Sequence, residues 1–76
     1  GFLSFNLSIY PNPSSDILYI NGADKELYAK VTDLSGKQVI REYAIDKLDI
    51  SCLDNGIYII NLTDGVNSSF HKIIKN

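Results

Sequence analysis

The chain has 76 residues and a mass of 8.5 kDa, with 45% of its residues hydrophobic and 21% charged. That balance belongs to one small globular domain, because disordered chains are poorer in apolar residues and a second domain would need more chain. A domain of this size buries only about 60% of the surface that its unfolded chain exposes, which weighs against deep cofactor clefts and against most enzymes. Seven Lys and Arg against nine Asp and Glu give a formal net charge of −2, the wrong sign for a surface that tracks phosphates, so no nucleic-acid partner is expected.

Apolar residues recur with period two in short segments rich in Ile, Val, Tyr and Leu, which predicts strands and no helix. A first strand is expected over Asn6 to Tyr10, stopped by Pro11-Asn12-Pro13, since proline donates no ladder hydrogen bond and restricts the residue before it. Asp16 to Ile20 is the second, closed by Asn21-Gly22. Glu26 to Asp33 is the third, with Leu27, Ala29 and Val31 on one face and Tyr28, Lys30 and Thr32 on the other. Gly36 supplies the positive φ for a tight connection to a returning strand over Gln38 to Tyr43. A short strand at Lys47 to Ile50 precedes the turn Asp54-Asn55-Gly56, which launches the most apolar strand, Ile57 to Leu62. Asp64 to Asn67 turns the chain into a last strand over Ser68 to Ile74. Seven short strands with Gly, Asn and Asp punctuation predict an all-β, seven-stranded antiparallel β-sandwich with Greek-key, immunoglobulin-like connections. Pro11, Pro13, Lys72 and Lys75 are expected to blunt its edges.

No apolar run approaches the roughly 18 residues that span a bilayer, so the chain is not expected to span a membrane. Residues 1–6 lack a basic leader region and read as residual linker or tag, with the domain proper over residues 7–76. The lone Cys52 has no internal disulfide partner and is expected to be a small, partly buried filler. His71 is the only histidine and reads as a partly exposed strand residue, with no nucleophile expected beside it. Asp33, Asp46, Asp49, Asp54 and Asp64 match no calcium loop and are better explained as turn residues whose carboxylates bond their own backbone. Three Asn-x-Ser/Thr tripeptides, at Asn6, Asn61 and Asn67, are frequent by chance in a chain of this composition. No cofactor, metal or catalytic constellation emerges. Tyr10, Tyr19, Tyr28, Tyr43 and Tyr58 leave open an alternative reading, a carbohydrate-binding or adhesive module of a secreted enzyme, if their rings lie coplanar and exposed.

Four motifs follow one another in fixed order: Tyr10-Pro11-Asn12-Pro13-Ser14-Ser15-Asp16, Val31-Thr32-Asp33-Leu34-Ser35-Gly36-Lys37, Leu53-Asp54-Asn55-Gly56-Ile57-Tyr58 and Lys72-Ile73-Ile74-Lys75. Together they resemble the type A C-terminal sorting domain of the type IX (Por) secretion system, over essentially Leu7 to Asn76. Each motif has a physical reading as well: Pro11 and Pro13 end a strand and Asn12 caps the turn, while Asp33 with Gly36 and Lys37 shapes a hairpin. Leu53, Gly56 and Tyr58 open a central strand, with Gly56 permitting a tight approach and the Tyr58 ring filling core volume. The resemblance implies a signal rather than an enzyme, fused behind a cargo protein and exported through the periplasm. It further implies recognition by the type IX translocon, removal by a sortase-like protease, and cargo delivered to the cell surface or released. Lys72, Ile73, Ile74 and Lys75 are the expected recognition residues, since a terminal strand offers a backbone edge and charge to a partner.

Overall fold

The computed structural model describes residues 7–76. The expected strand start at Asn6 and the linker assigned to residues 1–6 lie outside them. Seven strands follow in chain order: β1 (Ser8–Tyr10), β2 (Ile17–Asn21), β3 (Leu27–Asp33), β4 (Gln38–Ala44), β5 (Lys47–Asp49), β6 (Gly56–Thr63) and β7 (Ser68–Lys75). Among the described residues there is no helix. Three strands form one sheet in the order β1-β2-β5 and four form another in the order β4-β3-β6-β7, with every pairing between named strands antiparallel.

The strand alternation explains the core. On β3, Leu27, Ala29 and Val31 are buried while Tyr28, Lys30 and Thr32 between them are half-buried on the opposite face. On β6 the same period buries Tyr58, Ile60 and Leu62. The three-stranded sheet supplies Leu18, Ile20 and Leu48, joined by Ile50 and Leu53 from the following turn, and these residues form one cluster with the inward side chains of the four-stranded sheet. Each fully buried Leu or Ile contributes about 1.5–3 kcal/mol relative to exposure. The cluster therefore accounts for two sheets packed face to face without a disulfide.

Boundaries shift where side chains reach beyond the expected strand. β4 runs on to Ala44 because Ala44 pairs with Leu27 and is buried in the core. β5 ends at Asp49, whose carboxylate accepts the amide of Ser51 at 2.8 Å and turns the chain. In that turn the Leu53 amide bonds the Ile50 carbonyl at 3.0 Å. Ile50 and Leu53 point inward, which leaves Ser51 and Cys52 at the solvent corners. Cys52 is therefore a free, exposed thiol rather than the partly buried filler that its size suggested.

Candidate functional site

The first and last motifs meet. Asn12 does not cap its own turn, as expected from its place between two prolines, but reaches across the fold to β7. Its side-chain amide donates to the Lys72 carbonyl at 3.0 Å, and its Oδ1 accepts the Ile74 amide at 2.9 Å. A carboxamide thereby takes the place that a neighbouring strand's peptide group would fill. Ser14 continues the pairing with backbone groups: its amide donates to the Ile74 carbonyl at 2.9 Å, and its carbonyl accepts the Asn76 amide at 3.0 Å. A short parallel bridge between Ser14 and Lys75 results. Ser14 is itself buried, with its hydroxyl donating to the Ile17 carbonyl at 2.9 Å. Pro11 and Pro13 hold this loop beside β7 at the end of β1, and their missing N–H groups leave Asn12 as the donor and acceptor that faces the strand.

The two middle motifs are local. The Asp33 carboxylate accepts the Ser35 amide at 2.9 Å, the Ser35 hydroxyl at 2.6 Å and the Lys37 amide at 3.0 Å, which holds its pKa below the usual carboxylate range. The Gly36 amide bonds the Asp33 carbonyl at 3.0 Å with φ at 92°, a left-handed conformation that glycine adopts without steric cost. In the third motif the buried Tyr58 ring fills core volume, and its hydroxyl donates to the Asp54 carbonyl at 2.7 Å. A Cβ on Gly56 would lie 3.9 Å from that ring, an ordinary contact, so the glycine answers to its backbone conformation and not to the close approach expected of it.

The fourth motif is divided by the strand period. Tyr58 pairs with Ile73 and Ile59 with Lys72, so Lys72 and Ile74 lie on the outer face of the sheet while Ile73 and Lys75 lie on the inner one. Ile73 is completely buried, and Lys75 is buried as well, at 8% exposure. Lys75 is therefore no edge charge; its backbone bridges Ser14 and the residue is covered on the inner face. Of the four residues, Lys72 is exposed and Ile74 half-buried. The backbone edge expected to be open is filled from the Lys72 carbonyl to the Asn76 amide by Asn12 and Ser14. In an antiparallel strand the outward groups recur at every second residue, so the next outward pair belongs to Phe70. Among the described residues nothing bonds it.

The remaining chemical groups do not assemble. His71 is partly buried on β7, and burial lowers its pKa. The strand period places Ser69 beside it, contrary to the expectation that no nucleophile stands near, and the Ser69 hydroxyl bonds its Nε2. Among the described residues no carboxylate bonds the other ring nitrogen, so the pair lacks the third group that orients a catalytic base. Asp49 is held below its ordinary pKa by the side chain and amide of Ser51, and Asp64 by the amides of Asn67 and Val66. Both carboxylates are occupied by their own turns, as Asp33 is. Among the described residues no three His, Cys, Asp or Glu side chains are grouped as metal ligands would be. Tyr10 and Tyr19 are exposed but stack on each other at 5.7 Å between centroids, and Tyr28 lies tilted against Tyr43 at 5.0 Å. With the first pair stacked and the second inclined at 55°, neither forms the coplanar floor that a sugar ring would need.

Residues 8–76 match the family described as the secretion system C-terminal sorting domain. The chain is also 41% identical over 69 residues to Beta-agarase D of Zobellia galactanivorans, a match that covers 90% of this chain and 14% of that protein. The chain belongs to the family of C-terminal sorting domains and is a signal of the type IX secretion system, which marks its carrier for export to the cell surface or medium.

Proposed function

We propose that the chain acts as a folded address: a cargo polypeptide fused ahead of it is delivered to the type IX translocon from the periplasm, and the address is then removed by a sortase-like protease. The observation that carries this reading is the coincidence of the family match, residues 8–76, with a single packed core whose motifs at both ends are bonded together. The small share of Beta-agarase D that the match occupies supports an appended module, with the agarase or another exported protein as cargo. We take residues 7–76 as the sorting domain and residues 1–6 as linker, with cleavage in their neighbourhood. The chain itself performs no catalysis in this reading; its one histidine and one thiol sit on separate elements, β7 and the turn after β5.

The finer fold assignment, a Greek-key sandwich of immunoglobulin type, is supported by the strand orders β1-β2-β5 and β4-β3-β6-β7, in which the chain changes sheets after β2, after β4 and after β5. Lys72, Ile73, Ile74 and Lys75 serve recognition in different ways in this reading. Ile73 and Lys75 set the strand in place from the inner face, and Lys72 and Ile74 present themselves on the outer one. The test is to fuse the chain to a neutral reporter in a bacterium that carries the type IX system. Reporter at the surface or in the medium is expected, and reporter retained in the cell at normal domain stability would refute the reading.

A further inference from the structure

The outer face of the four-stranded sheet is uneven in charge. The registers line up Arg41, Lys30, Asn61 and Phe70 in one cross-strand row, and Gln38, Thr32, Ile59 and Lys72 in the next. Three of the chain's seven Lys and Arg thus stand on this face, and none of its nine Asp and Glu occupies an outward position on these four strands. Glu26 and Asp64 lie only beyond its far end, beside Tyr28 and Tyr43. Lys30 and Arg41 sit directly opposite each other, a like-charge juxtaposition that destabilises a sheet unless something neutralises it. Among the described residues the only ion pair is Lys25 with Asp64 at 3.7 Å, so none of these three cations is paired. Between the cations, Phe70 is 71% exposed and forms a shallow depression with Ile59 and Asn61. Beside Phe70 runs the stretch of β7 whose outward backbone groups Asn12 and Ser14 leave unbonded.

We propose that this face docks an acidic polypeptide segment with apolar side chains, contributed by the export machinery, whose carboxylates neutralise Lys30, Arg41 and Lys72 while an apolar residue covers Phe70 and Ile59. The inference rests on the sorting reading and adds to it the surface and the chemistry of the partner. Charge selects an anionic partner. The peptide groups at Phe70 that no described residue bonds offer a donor and an acceptor at strand spacing, which an extended polypeptide pairs in register, and this selects protein. The depression among Phe70, Ile59 and Asn61 gives an apolar side chain a seat.

The test uses the whole 76-residue chain and, as probe, a synthetic peptide of alternating glutamate and leucine, followed by amide NMR shifts. Saturable, salt-sensitive shifts at Lys30, Arg41, Phe70 and Lys72 are expected. The double variant Lys30→Gln/Arg41→Gln should bind about fivefold more weakly, the scale set by two solvent-screened charge contacts, with a Tm equal to or above that of the parent. Lys47→Gln on the other sheet should change nothing. Shifts elsewhere, equal binding by the double variant, or shifts induced by phosphatidylglycerol vesicles and not by the peptide would overturn the proposal. In cells, a reporter fused to the parent chain should be exported and one fused to the double variant retained. Equal export of both overturns the docking face and leaves the sorting reading standing. Retention of both overturns the sorting reading, and the peptide titration then decides the face by itself.

Discussion

The two halves of β7 are built alike toward β6 and differently toward the outside. From the Lys72 carbonyl to the Asn76 amide the outward edge is bonded by Asn12 and Ser14, and the inward side chains, Ile73 and Lys75, are buried. From Ser68 to Phe70 the outward edge has no partner among the described residues, and the side chains are a partly buried Ser69 and an exposed Phe70. One strand thus carries a latched half that completes the fold and an open half suited to meeting another molecule. A signal has to fold as an autonomous unit and still present something unsatisfied, and this strand divides those tasks along its length.

The comparison predicts unequal sensitivities. Ile73→Ala, in the latched half, should cost about 3 kcal/mol by leaving a cavity in the core, read as a lowered urea midpoint at unchanged slope; a cost no larger than that of a surface change would mean that the latched half is not anchored from within. Asn12→Ala should cost about 1–2 kcal/mol, since two hydrogen bonds are lost while solvent can replace part of them. Asn12→Asp should be nearly as damaging, because a carboxylate cannot donate to the Lys72 carbonyl. Phe70→Ala in the open half should change stability by about 0.5 kcal/mol or less, while lowering export of a fused reporter. Loss of export only in proportion to loss of stability across these variants would erase the distinction between the halves.

Acid sharpens the same contrast. The pKa of His71, on β7, is displaced downward from its ordinary 6.5 by burial, so the unfolded chain binds its proton more readily. Its contribution is complete above about pH 6.5 and is lost as pH falls through the folded value. Asp33, Asp49 and Asp64 are lowered from 3.8 by hydrogen bonds in their turns, so their contribution is lost only below about pH 3.8. Melting curves should therefore fall in two stages on acidification, and His71→Gln should remove the upper stage and spare the lower.

How much of this was legible in sequence follows from the reach of each interaction. The hairpin at Asp33 to Lys37 could be read because its hydrogen bonds span two to four residues, within the range of local turn chemistry. The burial of Leu27, Ala29 and Val31 could be read because side-chain direction alternates strictly along a strand. The latch could not, because Asn12 bonds residues 60 and 62 positions away, and no local pattern specifies which strand a loop will meet. One signal was nevertheless present: with prolines on both sides, Asn12 has no adjacent amide donor, so its carboxamide oxygen is free to take one from elsewhere. Lys75 departs from the edge charge expected of it because Lys72 and Lys75, three residues apart, necessarily fall on opposite faces of one strand. Cys52 departs from the partly buried filler expected of it because its neighbours, and not its size, decide which residues of a tight turn face inward.

The division of β7 is tested most directly by amide hydrogen exchange along that strand. Among the described residues the Ile74 and Asn76 amides bond only Asn12 and Ser14, so their protection reports the latch. The account predicts slow exchange at Ile74 and Asn76 and fast exchange at Phe70 and Lys72, with Ile74 released in Asn12→Ala while Ile73, whose amide faces β6, stays protected. Fast exchange at Ile74 in the parent chain, or protection at Phe70 equal to that at Ile74, would contradict it.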